Sequence, residues 1–211
     1  MNRLHYFYDA QCGWCYAVAP LIWEAAQLPG VTLELHGGGL WPKPTVLPAA
    51  MRERIRSIDG RISQMSGQPF GPGYLDKLLP SETMWLDSSP TTAAILAAGK
   101  LRKGADLLLL RALQKAHYEA GDPVTEHDTL LRLAAELGFD SATFAAVMSA
   151  AKPEAHIAQS QAMMNQLGLQ GFPATVVETA NSYTAIAPQD WFLRPKGYVA
   201  AIQAALGERM H

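Results

Sequence analysis

The sequence predicts an α/β protein in which one small sheet is interrupted by a long, all-helical insertion. Three observations carry this reading. Residues 4–36 follow a strand–helix–strand pattern. Residues 45–150 show helical periodicity with no strand-like alternation. Strand patterns then return at 174–178 and 183–187, followed by one more helix.

The elements follow in chain order. "LHYFY" (4–8) is an aromatic strand. Residues 12–28 suit a helix, with Val18, Leu21, Ile22, Ala25 and Leu28 on one face, and Pro29-Gly30 ends it. "VTLELH" (31–36) alternates as a strand, and a right-handed crossover makes it parallel to the first. In the insertion, Ser89 and Pro90 read as N-cap and first helical residue. Thr125 precedes a further helix closed by Gly138, and Ser141 opens another. Pro153 starts a helix that Gly168 ends. The two late strands form an antiparallel hairpin about Asn181. The last helix spans about 198–206, with Val199, Ile202 and Leu206 facing inward. The organisation expected is a discontinuous domain of residues 1–45 and 153–211, with 46–152 as helical insertion.

With 211 residues, 49% apolar and 17% charged, the chain can bury a substantial core. A net charge of −2 without a basic run gives no footprint for nucleic acid or an anionic membrane. No signal-like or membrane-length apolar run follows Met1, so a cytoplasmic protein is expected.

Both cysteines, Cys12 and Cys15, lie in "QCGWCYAVAP", two residues apart where a strand gives way to a helix. A C-x-x-C at that junction reads as a redox dithiol. The helix N-terminus favours a thiolate at Cys12, and Cys15, one turn on, can resolve a mixed disulfide. A structural zinc site would need four ligands. No second cysteine pair exists, and His5 and His36 lie on separate strands without finger-like spacing, so no metal is expected. Two inert buried cysteines remain the plain alternative.

"CGWC" after an aromatic strand, Pro20 eight residues past Cys12, and "GFPAT" before a hairpin resemble the thioredoxin superfamily. The helical insertion is similar to that of the DsbA-type branch. "GGGLWP", "SGQPFGPGY" and "LDSSPTTAAILAA" resemble its cytoplasmic members described as predicted disulfide isomerases. The resemblance implies a thioredoxin-like fold with a DsbA-like insertion, and a disulfide reductase or isomerase acting on protein or small-molecule disulfides. It implies Cys12 as nucleophile and Cys15 as resolving thiol. It also implies a cis peptide before Pro173 beside the dithiol, with Phe172 backbone contacts to an extended substrate chain. No tightly bound cofactor is implied; glutathione or a thioredoxin-type protein would be the reductant. The neutral Gly13-Trp14 spacer implies a couple less oxidising than that of DsbA.

Thioredoxins carry a buried acid six residues before the first cysteine, where this chain has Tyr6. Asp9 is the nearest acid, read as a helix cap ahead of a proton acceptor for Cys15. Trp14 and Phe172 are candidates for an apolar substrate rim. "GGG" at 37–39 lacks the G-K-[ST] of a phosphate loop and reads as a turn. His117 and His127 are expected in solvent. Met51, Met65, Met84, Met148, Met163 and Met164 are expected in the core, with the last two able to line a groove. Two other function classes remain: a glutathione-dependent transferase or isomerase of the kappa-class type, which usually carries a single Ser or Cys, and a non-catalytic binding module.

Overall fold

The computed structural model describes residues 2–207. Strand β1 (Asn2–Tyr8) runs through the middle of a four-stranded sheet ordered β2-β1-β5-β6. It pairs in parallel with β2 (Val31–Gly37) and antiparallel with β5 (Ala174–Glu178), which pairs antiparallel with β6 (Tyr183–Ile186). The aromatic composition of β1 follows from burial on both sides. Leu4, Tyr6 and Tyr8 enter the main core with Ile22, Tyr198 and Ile202, whereas Phe7 packs on the opposite face with Val176 and Met164.

The first helix is two helices. α1 (Gly13–Ala17) ends at Val18, and α2 (Ala19–Ala25) restarts with Pro20 in its first turn. Proline suits a helix start, where its missing N–H has no intrahelical partner.

Helices α3 (Ala49–Ser66), α4 (Ser88–Leu101), α5 (Ala105–Lys115), α6 (His127–Glu136) and α7 (Ser141–Ser149) follow between β2 and β5. α4 begins one residue before Ser89, because the Asp87 carboxylate takes the cap by accepting from Ser89 N at 2.8 Å. α6 is preceded by Glu126 rather than Thr125. The insertion is not wholly helical. Thr45–Val46 (β3) and Trp85–Leu86 (β4) form a short antiparallel ladder, too brief to leave an alternating pattern. Single π-helical turns occur at Gly73–Leu78 and Ala116–Ala120. α8 (Pro153–Gln166) and α9 (Pro195–Ala205) close the chain. Val199 and Leu206 are only partly buried, and Tyr198 with Ile202 carries the inward face of α9.

Met84, Met148 and Met164 are buried, but Met51 and Met65 are exposed at the surface of α3. No helix among the described residues is long and apolar enough to cross a membrane.

Candidate active site

The turn after β1 delivers Cys12 to the N-cap of α1. Cys15 N and Tyr16 N donate to the Cys12 carbonyl at 2.9 and 3.0 Å, which winds the first turn and stacks the two cysteines on one side of it. Both are free thiols. Their environments differ. Cys12 keeps 7% of its surface and lines a cleft, whereas Cys15 is fully buried beneath it. Burial, reinforced by the neighbouring Cys12 sulfur, pushes the Cys15 thiol well above its ordinary value. Tyr6, in the position where a thioredoxin has its acid, donates its hydroxyl to the Cys15 carbonyl at 3.2 Å.

From 160 residues along the chain, Phe172 brings its carbonyl oxygen to 3.9 Å from Cys12 Sγ. The Phe172–Pro173 peptide is cis, as the resemblance implies. The glycine run explains how Phe172 fits. A Cβ on Gly38 would lie 2.0 Å from the Phe172 ring, so the ring seats on bare backbone. "GGG" thus provides a packing platform as well as a turn. Trp14 stacks on Phe192 with ring centroids 6.2 Å apart and lines the cleft beside Cys12.

Asp9 does not cap α1, whose N-cap is Cys12 without a side-chain bond. Its buried carboxylate instead accepts from Gln11 N at 2.9 Å, Leu40 N at 2.9 Å and the Ser88 hydroxyl at 2.5 Å. These bonds tie the dithiol turn to the segment after β2 and to the start of α4. Gln11 adds a second tie, its Oε1 accepting from Asp87 N at 3.1 Å. Burial still raises the Asp9 carboxyl above its ordinary value, against the pull of those donors.

The cleft beside Cys12 has a volume of about 190 Å³ and is largely apolar, with Trp41, Leu47, Ile55 and Met84 among its walls. Two polar side chains stand in it, Asp59, which carries no sequence signal, and His117. Asp59 of α3 is 3% exposed, and its Oδ2 accepts from the Tyr74 hydroxyl at 2.7 Å. Burial raises its carboxyl to about 6, partly offset by the Tyr74 bond. A Cβ on Gly13 would fall 2.7 Å from Asp59 Oδ1, so the glycine of the spacer admits this acid to the dithiol turn. A carboxyl titrating there can exchange a proton within the cleft across the neutral range. His117, expected in solvent, is 3% exposed, and its Nδ1 has no partner. Burial lowers it to about 4. At i+4 from Leu113 and i+7 from Leu110 it continues the buried face of α5 into the following turn, so its spacing points inward although its polarity suggests solvent. His127 is exposed, as expected.

Residues 3–192 match the model of the DSBA-like thioredoxin domain. The structure is similar to that of the cytosolic disulfide reductase DsbM from Pseudomonas aeruginosa. That similarity has 36% identity and a TM-score of 0.88, over 98% of this chain and 100% of that one. A DsbM structure with GSH matches with a TM-score of 0.86 at 36% identity, over 97% and 99% of the two chains. A putative protein disulfide isomerase from Nitrosomonas europaea shares the fold at 23% identity and a TM-score of 0.83, over 100% and 99% of the chains. No curated protein sequence matches the chain.

Proposed function

The chain belongs to the DsbA-like thioredoxin family and is a thiol–disulfide oxidoreductase, and on that premise we propose that it works in the cytoplasm as a reductase or isomerase with Cys12 as nucleophile and Cys15 as resolving thiol. One observation carries the role split. Cys12 reaches the cleft, whereas Cys15 is sealed from solvent one helical turn behind it.

In the first step the Cys12 thiolate attacks one sulfur of a substrate disulfide. A Cys12–substrate S–S bond forms, and the other substrate sulfur leaves as a thiolate. The Cys15 thiolate then attacks Cys12 Sγ. The second substrate sulfur leaves, and a Cys12–Cys15 disulfide remains, so two electrons have passed to the substrate. The buried Cys15 must lose its proton for this step. Asp9 and Asp59 are the acids beside the turn, and Asp9 is already committed to three donors. Substrate contacts fall to the Trp14 rim, the Phe172 carbonyl and Pro173. That carbonyl offers an extended chain a backbone acceptor beside the reacting sulfur.

Glutathione as the reductant is supported by the DsbM structure with GSH. Two glutathione thiols restore the dithiol and leave as their disulfide. The cytoplasmic setting is supported by the same relative, and there the prevailing poise favours thiols. We further propose that residues 1–45 with 153–211 form one domain and 46–152 its insertion.

The test is a trap. Cys15→Ser protein mixed with a disulfide substrate should accumulate a Cys12-linked adduct by intact-mass spectrometry, and Cys12→Ser should not. The absence of the Cys12 adduct would overturn the mechanism. Measuring the Cys12–Cys15 potential against glutathione buffers then gives the direction of electron flow.

A further inference from the structure

We propose that His5, His36 and Glu34 form a binding site for a single divalent transition-metal cation of the zinc type, held in place by Glu178 and Arg3. The site follows from strand register. His5 of β1 pairs with Glu34 of parallel β2, and Phe7 pairs with His36, so alternate residues place His5, Glu34 and His36 on one face. That face is opposite the one from which Tyr6 reaches Cys15. One ligand atom from each of the three residues lies within 4.8 Å of the other two. His5 Nδ1 is 2.9 Å from His36 Nε2 and 3.7 Å from a Glu34 carboxylate oxygen.

The surroundings orient these donors as a metal requires. His5 Nε2 lies 2.9 Å from Glu178 Oε2. An ionised carboxylate only accepts, so this nitrogen carries a proton, and in the neutral form that binds a metal Nδ1 is left bare toward His36 and Glu34. A carboxylate behind a histidine is the usual outer support of a metal-ligating imidazole. Arg3 Nε holds the other Glu34 oxygen at 2.8 Å, and its Nη1 holds Glu178 at 2.9 Å, so both carboxylates are fixed.

With neutral imidazoles these five side chains sum to one negative charge, which a dication reverses without a large excess. The 2.9 Å contact between His5 Nδ1 and His36 Nε2 holds one proton, which binding must displace, to His36 Nδ1 as a tautomer change or to solvent. Zinc–nitrogen bonds of about 2.0–2.1 Å at a tetrahedral angle put two nitrogens about 3.3 Å apart. The rings therefore separate by only a few tenths of an ångström. His5 is buried, while the Glu34 side chain is 39% exposed. Glu34 and His36 line a surface cleft with Asp106 and His156, which gives the ion a way in. Three protein ligands leave a fourth position to water or another small ligand.

The test uses the Cys12→Ser/Cys15→Ser protein, so the dithiol cannot bind the ion and the redox reading is not at stake. Zn2+ is titrated in competition with a chromophoric chelator. One ion per chain is expected, bound in the micromolar range or tighter. His36→Gln and Glu34→Gln, both on the edge strand, should each weaken binding at least tenfold. Glu178→Gln, a positioning change, should weaken it about 10–100-fold. The exposed His127→Gln should leave it unchanged. Co2+ should give visible absorption bands that His36→Gln removes. Either the absence of stoichiometric binding, or binding that His36→Gln leaves within twofold, would overturn the site.

Discussion

Replacing Asp59 with asparagine tests the physical picture of the cleft most directly. The carboxyl is raised from its ordinary 3.8 to about 6, chiefly by burial. That displacement costs the ionised form about 3 kcal/mol in the folded state relative to the unfolded one. The sign follows from proton binding. The folded chain holds the Asp59 proton more tightly, so its contribution to stability is greatest below the unfolded value of 3.8. It is lost as pH rises to about 6 and stays constant above that. Asparagine cannot ionise, and its amide oxygen can keep the 2.7 Å bond from Tyr74. The stability of Asp59→Asn relative to the parent should therefore climb with pH, gaining about 2 kcal/mol between about pH 4 and 7.5. Urea unfolding followed by tryptophan fluorescence, at several pH values and with matching m-values, measures it. Taking the difference matters because His117 acts in the opposite sense over an overlapping range. A difference that stays flat within about 0.5 kcal/mol, or falls as pH rises, would refute the burial of an ionisable Asp59.

The cleft's other contacts give further expectations. His117, lowered to about 4, should stay neutral at pH 5.5 in nitrogen-detected NMR; its contribution to stability is present above 6.5 and lost as pH falls toward 4. Gly38→Ala forces a methyl into the Phe172 ring and should cost about 1–3 kcal/mol by chemical denaturation. The same variant should slow reduction of a model disulfide, and an unchanged rate would separate Phe172 from substrate handling. Asp9→Asn turns an acceptor-only group into one that must face a donor with its own NH2. A loss of about 1–3 kcal/mol in the same denaturation assay is expected.

The dithiol was legible because its chemistry is local. Cys12, Cys15 and the strand-to-helix junction occupy adjacent residues, and the apolar periodicities on either side are strong. The long helices of the insertion were legible for the same reason. The β3–β4 ladder was not, since two-residue strands carry no period. His117 was misplaced because its polarity was weighed above its spacing, which at i+4 from buried Leu113 continues the inward face of α5. Asp9 was found, but its partners Leu40 and Ser88 lie 31 and 79 residues away, so a cap was the nearest local explanation.

The amino-acid pattern by itself determined the α/β class, the parallel opening unit, the late hairpin and the redox pair, because each rests on residue spacing within a single element or turn. Only the tertiary structure decided what surrounds them. Burial set Cys15 apart from Cys12 and raised Asp59, and strand register brought His5, Glu34 and His36 to one face. Chain folding carried the Phe172 carbonyl across 160 residues to Cys12. Desolvation and register are properties of assembled neighbours, so no spacing along the chain encodes them in readable form.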